Sequence, residues 1–332
     1  SPVVQALRKN GGDIHQRFTE RTLISLYPPT LYVVLAPLAP YSWPAARASW
    51  LLFNLVALAG LGIGVIKLSR LANARMGIAT VTCILLMWAP IHTCLRLGQT
   101  SLIVAACIVL GLSAMAKRRG VPTGILLGLA VALKPHVGGL FVAYLILRRH
   151  WQAVIYAAGV VAVIGLVGVV RLEQFSPGWA SDWFDNVRFF KVGGIGDPAQ
   201  SNPLAYHTIN MHALLHTFTD HRRLVNTTVY VIVGSTLLLA IRLAGKSSEK
   251  TPELAFVSVL AVASLLVVYH RFYDATLLLL PIVWVAARWF QKRRDRVLWL
   301  SILTLVPFLV PGAAILGASV QRSWVPPVVS QT

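Results

Sequence analysis

Eleven apolar runs, parted by short polar or basic breaks, restrict this chain to one kind of environment. They fall near residues 30–40, 48–66, 77–91, 101–116, 121–133, 136–147, 152–170, 224–243, 254–269, 275–290 and 297–317. In hydrocarbon every backbone N–H and C=O must find its partner inside the protein, so runs of this length fold as helices. Of the 332 residues, 56% are hydrophobic and only 12% charged, with mean hydropathy +0.69. Soluble domains carry about 25% charged residues, so the expected class is an all-α integral membrane protein crossing the bilayer several times. The net charge of +19 would point to nucleic acid in a soluble protein. Here it belongs to basic loops that set topology and meet anionic headgroups, and no nucleic-acid partner is expected.

Spanning a bilayer takes about 20 residues at 1.5 Å per residue. The runs at 48–66, 101–116, 152–170, 224–243 and 297–317 reach or nearly reach that length. Those at 121–133 and 136–147, with 30–40 beside them, are too short and read as half-helices. The runs 121–133 and 136–147 are joined by "ALKPHV" (132–137). Proline breaks a helix and disfavours helix in the residue before it, so a re-entrant hairpin turning at Lys134-Pro135 is expected.

Basic clusters recur at every second turn: "KLSRLANAR" (67–75), "KRR" (117–119), "RRH" (148–150), "RLAGKSSEK" (242–250) and "RWFQKRRDR" (288–296). The positive-inside rule assigns them to the cytoplasm. The N-terminal segment, "APIHTCLRLGQTS" (89–101), the Lys134 turn, residues 171–223 and "YHRFYD" (269–274) then face outward. The expected domain is one membrane unit over 1–332, with 171–223 as its outer-face segment. That segment sets Trp179, Trp183, Phe184, Phe189 and Phe190 among Asp182, Asp185, Arg188 and Lys191, a pattern suited to an interfacial helix. The glycine-rich "KVGGIGDPAQSNP" (191–203) reads as a loop. The chain opens at Ser1 with neither signal peptide nor leading span and stops in "SWVPPVVSQT"; both ends read as cut, with helices expected beyond them.

The outward face collects the polar chemistry. It holds Asp13, His15, Arg17 and Glu20; His92, Arg96 and Gln99; Lys134 and His136; His207, Asn210 and His212; and His270, Arg271, Tyr273 and Asp274. Carboxylates, imidazoles and cations on one face, with an almost purely basic opposite face, fit a catalytic or transport cleft. Outer loops also need polar residues simply for solvation. An ammonium among apolar half-helices marks a functional site. Lys134 is therefore expected to meet a phosphate as a point charge, the plain alternative being a lysine that snorkels to the interface. On that reading Lys134→Met leaves folding intact. His136 reads equally well as a packing residue. His270 and Asp274 share a face if their turn is helical, and Asp274 is also placed to cap the following helix. His212 and His216 have the spacing of zinc ligands without a third partner, and Cys83, Cys94 and Cys107 have none. No metal site is expected.

Three segments carry a family likeness: "SLYPPTLYVVLAPLAPYSWPAARASWLLFNL", "LRLGQTSLIVAACIVLGLSAMAKRRGVPTGILLGLAVALKPHVGGLFVAYLILRRHWQA" and "YHRFYDATLLLLP". Together, over roughly residues 25–290, they resemble the GT-C glycosyltransferases of glycosyltransferase family 87, bacterial membrane enzymes related to mannosyltransferases of the cell envelope. The resemblance implies a GT-C-like helical bundle. It implies inverting transfer of a hexose, mannose-like, from a polyprenyl-phosphate donor to a lipid or glycan acceptor. The donor serves as co-substrate with no further cofactor, and the reaction takes place at the outer, periplasmic face of the bacterial cytoplasmic membrane. In this family an aspartate base lies just after the first helix. That helix is expected to lie upstream of Ser1, and Asp13 in "NGGDIHQ" sits slightly later than the base position the resemblance implies. His270 and Asp274 are the other catalytic candidates. Arg96, Gln99, Lys134, His136, His207, Asn210, Arg271 and Tyr273 are the candidates for binding donor phosphate or substrate. Two other classes compete. A secondary transporter uses broken helices as well, but with repeated halves and charges near the midplane, and no repeat is apparent. A non-catalytic lipid-binding or assembly subunit is the third.

Overall fold

A computed structural model describes residues 26–69, 71, 75–191, 196–199, 202, 208–245, 254–268, 270–290 and 299. The described residues form helices joined by short turns, with no strand among them. In chain order they are α1 (Pro29–Leu35, followed by a 3-10 turn, Ala36–Leu38), α2 (Trp43–Leu68), α3 (Arg75–Met87), α4 (Ala89–Leu97), α5 (Ser101–Ala116), α6 (Gly120–Leu133), α7 (Pro135–Leu147), α8 (Trp151–Phe175), α9 (Trp179–Lys191), α10 (Met211–His216), α11 (Arg222–Gly245) and α12 (Leu254–Val267). A 3-10 helix over Phe272–Leu278 then runs into α13 (Leu279–Phe290).

Four helical stretches among the described residues are long and apolar enough to span a membrane: Trp43–Leu68, Trp151–Phe175, Arg222–Arg242 and Phe272–Phe290. The first three answer the runs at 48–66, 152–170 and 224–243. The fourth exceeds its run at 275–290 because the 3-10 turn extends it. The pair α3 and α4 is one further candidate, bent by 51° at Trp88. Pro90 sits in the first turn of α4, where a missing N–H costs no helical bond. The 101–116 run forms α5, a 16-residue helix buried along most of its length, with Leu102, Ile108 and Leu112 fully enclosed. It is a core element, shorter than a full span. The run at 297–317 lies outside the described residues.

Lipid gives helices no hydrophobic reason to associate, so close packing through small residues must hold them. The Cβ missing at Gly124 of α6 would stand 2.4 Å from the Ala153 carbonyl oxygen of α8. One turn on, that of Gly128 would stand 2.8 Å from Ala157 O. Across α5, the Ser113 hydroxyl donates to Gly64 O of α2 at 3.1 Å. Tyr144 of α7 stacks on Phe256 of α12 with ring centroids 5.0 Å apart. Leu52, Phe53 and Val56 of α2 and Ile155, Val163 and Leu166 of α8 stay exposed, as lipid-facing positions should.

The expected break at Lys134 is present. Lys134 has φ −145° and ψ 87°, between the last residue of α6 and the first of α7. The chain folds back so sharply that a Cβ on Gly138 would lie 2.6 Å from the Val131 backbone nitrogen, a contact that only glycine permits. Each helix meeting here at one end carries a basic cluster at the other. α5 runs from Ser101 to Lys117-Arg118-Arg119, α7 from Pro135 to Arg148-Arg149-His150, and α13 carries Arg288 in its last turn. The bundle therefore has a basic end and a mixed polar end.

Candidate active site at the broken helix

Four chain segments converge at the polar end: the start of α5, the break at Lys134, the turn after α12 and the 3-10 helix that opens α13. At the centre is the Asp274 carboxylate, 5% exposed. Lys134, 3% exposed, places Nζ 2.5 Å from Asp274 Oδ1. The Ser101 hydroxyl donates to the same oxygen at 2.5 Å and accepts from Lys134 Nζ at 2.7 Å. The other oxygen, Oδ2, accepts from the Arg271 backbone N–H at 3.3 Å and faces His270 Nδ1 at 3.2 Å. Asp274 N in turn donates to Arg271 O at 2.8 Å. Asp274 thus pairs with the imidazole; it is not the N-cap of the following helix, since Arg271 holds that position and Asp274, three residues on, accepts from the Arg271 N–H in the manner of a capping box.

His270 is wholly enclosed, at 0% exposure. Its Nε2 lies 2.9 Å from Ser264 O, a carbonyl in the last turn of α12 that has no later helical N–H to bond. The residues between do not form one helix; Arg271 is extended, at φ −105° and ψ 167°. Both ring nitrogens face acceptors, one a carboxylate and one a carbonyl. That is the hydrogen bonding of an imidazolium, in which both nitrogens donate.

The framework around this cluster is built from both halves of the chain. Buried Trp88, at the α3–α4 bend, donates its indole N–H to Ala275 O at 3.2 Å. Cys94 Sγ of α4 lies 3.4 Å from Tyr273 O. Thr30 of α1 donates to the Ala132 carbonyl, left open where α6 stops. Gly98 closes α4 in the left-handed region at φ 62°, and Trp50 Nε1 donates to its carbonyl at 2.7 Å. Ile209 N donates to His270 O at 2.7 Å, tying the stretch before α10 to the site.

Of the residues named from sequence, Lys134, His270 and Asp274 bond one another directly. Tyr273 adjoins them, its ring centroid 4.9 Å from Lys134 Nζ. His136, in the first turn of α7, is exposed and stacks on His270 with ring centroids 5.0 Å apart. Arg271 is half-buried. Gln99 accepts from Tyr27 Oη at 3.0 Å, which links the "YPP" and "GQ" stretches. Arg96 and His92 are exposed on α4, His92 with Nε2 2.6 Å from Leu86 O. Asn210 caps α10 by accepting from Ala213 N at 2.7 Å. His212 and His216 are buried within that short helix. Asp13, His15, Arg17, Glu20 and His207 lie outside the described residues.

Sequence reading missed Ser101, which bonds both members of the ion pair. Its one signal was a hydroxyl residue opening an apolar run, the ordinary mark of a helix start. Also missed was Asp197, buried in the glycine-rich loop. Its carboxylate pairs with Arg222 Nη2 at 3.0 Å and accepts from Ala199 N at 3.1 Å. Within the segment read as interfacial, residues Trp179–Lys191 form the helix α9, with Asp182 in its first turn and Arg188 and Lys191 in its last, as the helix dipole favours.

Known proteins place this architecture. The polyprenol-phosphate-mannose-dependent alpha-(1-2)-phosphatidylinositol mannoside mannosyltransferase of Mycobacterium tuberculosis (strain ATCC 25618 / H37Rv) is 27% identical over 170 residues. The aligned part covers 47% of this chain and 38% of that protein, so the chain spans well under half of the relative's length. No solved structure matches. The model of glycosyltransferase family 87 matches residues 26–268, which takes in every helix from α1 to α12 and the break at Lys134 and stops just short of His270. On that match, the chain belongs to glycosyltransferase family 87.

Proposed function

We propose that this chain is a membrane glycosyltransferase that moves a mannose-like hexose from a polyprenyl phosphate onto a hydroxyl of a lipid or glycan acceptor. The transfer inverts the anomeric centre and takes place at the outer face of the bacterial cytoplasmic membrane. The observation that carries this reading is the family match over 26–268, together with the donor named for the mycobacterial relative. The polar end of the bundle, opposite the basic clusters, supports an outward-facing site, since basic loops stay in the cytoplasm.

In the reaction the acceptor oxygen attacks the anomeric carbon from the side opposite the phosphate. The bond from that carbon to the phosphate oxygen breaks, and its electron pair stays with the lipid phosphate. The hydroxyl proton passes to a carboxylate base, the part the family resemblance gives to an aspartate upstream of Asp13. The leaving phosphate gains negative charge, and preorganised positive charge at that place lowers the barrier. Arg271, Tyr273 and Gln99, partly open at the mouth of the cluster, are positioned to hold sugar or phosphate.

The test is turnover by the purified protein in detergent, with mannose-labelled polyprenol phosphate as donor and a mannoside glycolipid as acceptor. Label should move to the acceptor from the lipid donor and not from GDP-mannose. Transfer from GDP-mannose alone, or none from the lipid donor by protein that remains folded, would refute the reading.

A further inference from the structure

Resting on that reading, we propose that the lipid phosphate docks on the exposed imidazole of His136, over a buried unit of positive charge, and that Lys134 is a positioning residue that does not touch it. Among the described residues the charges in the cluster do not balance. Among the described residues Asp274 is the one carboxylate bonded to Lys134 or His270. Two cations against one carboxylate leave a single positive charge in a nearly dry site. An uncompensated buried charge is costly; a site that keeps one is completed by an anion. A polyprenyl-phosphate sugar is a phosphodiester carrying one negative charge. When the sugar departs, the phosphate becomes a monoester and takes on more, so the buried field favours the late stage of the reaction over the substrate.

Lys134 cannot be the point of contact. It is enclosed, its ammonium is bonded to Ser101 and Asp274, and the Tyr273 ring lies against it. His270 is sealed as well, both nitrogens engaged. His136 is the accessible member, one ring away from the imidazolium. Lys134 and Ser101 fix Asp274, Asp274 fixes His270 with both its protons, and His270 lies behind His136.

The experiment measures affinity for polyprenol monophosphate, with uncharged polyprenol of the same length as the control for the tail. The parent should prefer the monophosphate. His136→Ala should lose about tenfold of that preference, the size of one hydrogen bond to a charged group, with its unfolding temperature unchanged because the side chain is exposed. The double variant Lys134→Met/Asp274→Asn removes one charge of each sign. It leaves His270 between the amide oxygen introduced at position 274 and Ser264 O, and the preference is scored at a pH where the 15N shifts of the His270 ring show both nitrogens protonated, so that parent and variant carry the same net charge. It should keep the preference to within about threefold, whereas a lysine in direct contact with phosphate would take the preference with it. Parent-like preference in His136→Ala, or a loss in the double variant as large as in His136→Ala, overturns the proposal. Mannosyl transfer by the parent is scored separately, so a wrong donor and a wrong anion site give different results.

Discussion

Removing one partner of the Lys134–Asp274 pair should unfold the protein more readily, and by unequal amounts depending on which partner goes. Truncating one side of a buried ion pair costs about 3–5 kcal/mol, because the other charge is left behind. Lys134→Met leaves Asp274 with His270, Ser101 and the Arg271 N–H. One cation still faces one carboxylate, so the loss should sit near the low end, about 3 kcal/mol. Asp274→Asn leaves two buried cations side by side with no carboxylate, and should reach about 5 kcal/mol or more. At about 2 °C per kcal/mol for a chain of this size, the temperature of half-loss should fall by about 6 °C and about 10 °C respectively. The double variant should lie above Asp274→Asn alone, since partners in one network do not add. The assay is the monodisperse fraction by size exclusion after timed heating in detergent. An Asp274→Asn protein more stable than Lys134→Met, or strictly additive losses in the double variant, would falsify the charge arrangement.

Three other outcomes follow from local geometry. Gly128→Leu should separate α6 from α8 and lower the half-loss temperature, because its Cβ meets Ala157 backbone. Gly159→Ala, which meets nothing within 4 Å, should be neutral or raise stability by about 0.5–1 kcal/mol through helix propensity. Arg222→Ala should destabilise, since it takes from the buried Asp197 carboxylate the guanidinium that pairs with it at 3.0 Å; the neutral pair Asp197→Asn/Arg222→Ala should regain part of that loss in the same heating assay. Burial, and then the neighbouring His216, hold the His212 imidazole below its ordinary value of 6.5. The folded state therefore binds this proton less readily than the unfolded chain, and stability falls as pH drops below 6.5. His212→Gln should flatten the fall in half-loss temperature between about pH 7 and pH 5; an unchanged slope would remove His212 from the account.

What was legible in the sequence was what local chemistry determines. The break at Lys134 could be read because Pro135 stands next to it, and the spans because apolar length leaves few alternatives. The bend at Trp88 had its own signal in Pro90, inside a run that reads as continuous by hydropathy alone. The pairing of Lys134 with Asp274 had no local signal: the two are 140 residues apart, and they meet only because α5, α6 and the 3-10 helix end at the same level. For that reason Lys134 reads from sequence as a lone charge free to bind phosphate, and its neutralisation as harmless to folding. Ser101 was hidden for the opposite reason, since a serine at a helix start has an ordinary explanation already.

The same separation sets a timetable for assembly. Lys134 emerges from the ribosome 140 residues before the carboxylate that balances it, a delay of about 7–28 s at 5–20 residues per second. Through that interval the ammonium lacks the Asp274 carboxylate, and the membrane interior is the wrong place for it unpaired. The α6–α7 hairpin is therefore expected to hold its tip in the aqueous layer until the 3-10 helix brings Asp274. In a nascent chain stopped before residue 274, Lys134 stays open to an amine-reactive reagent; in the finished protein it is closed off.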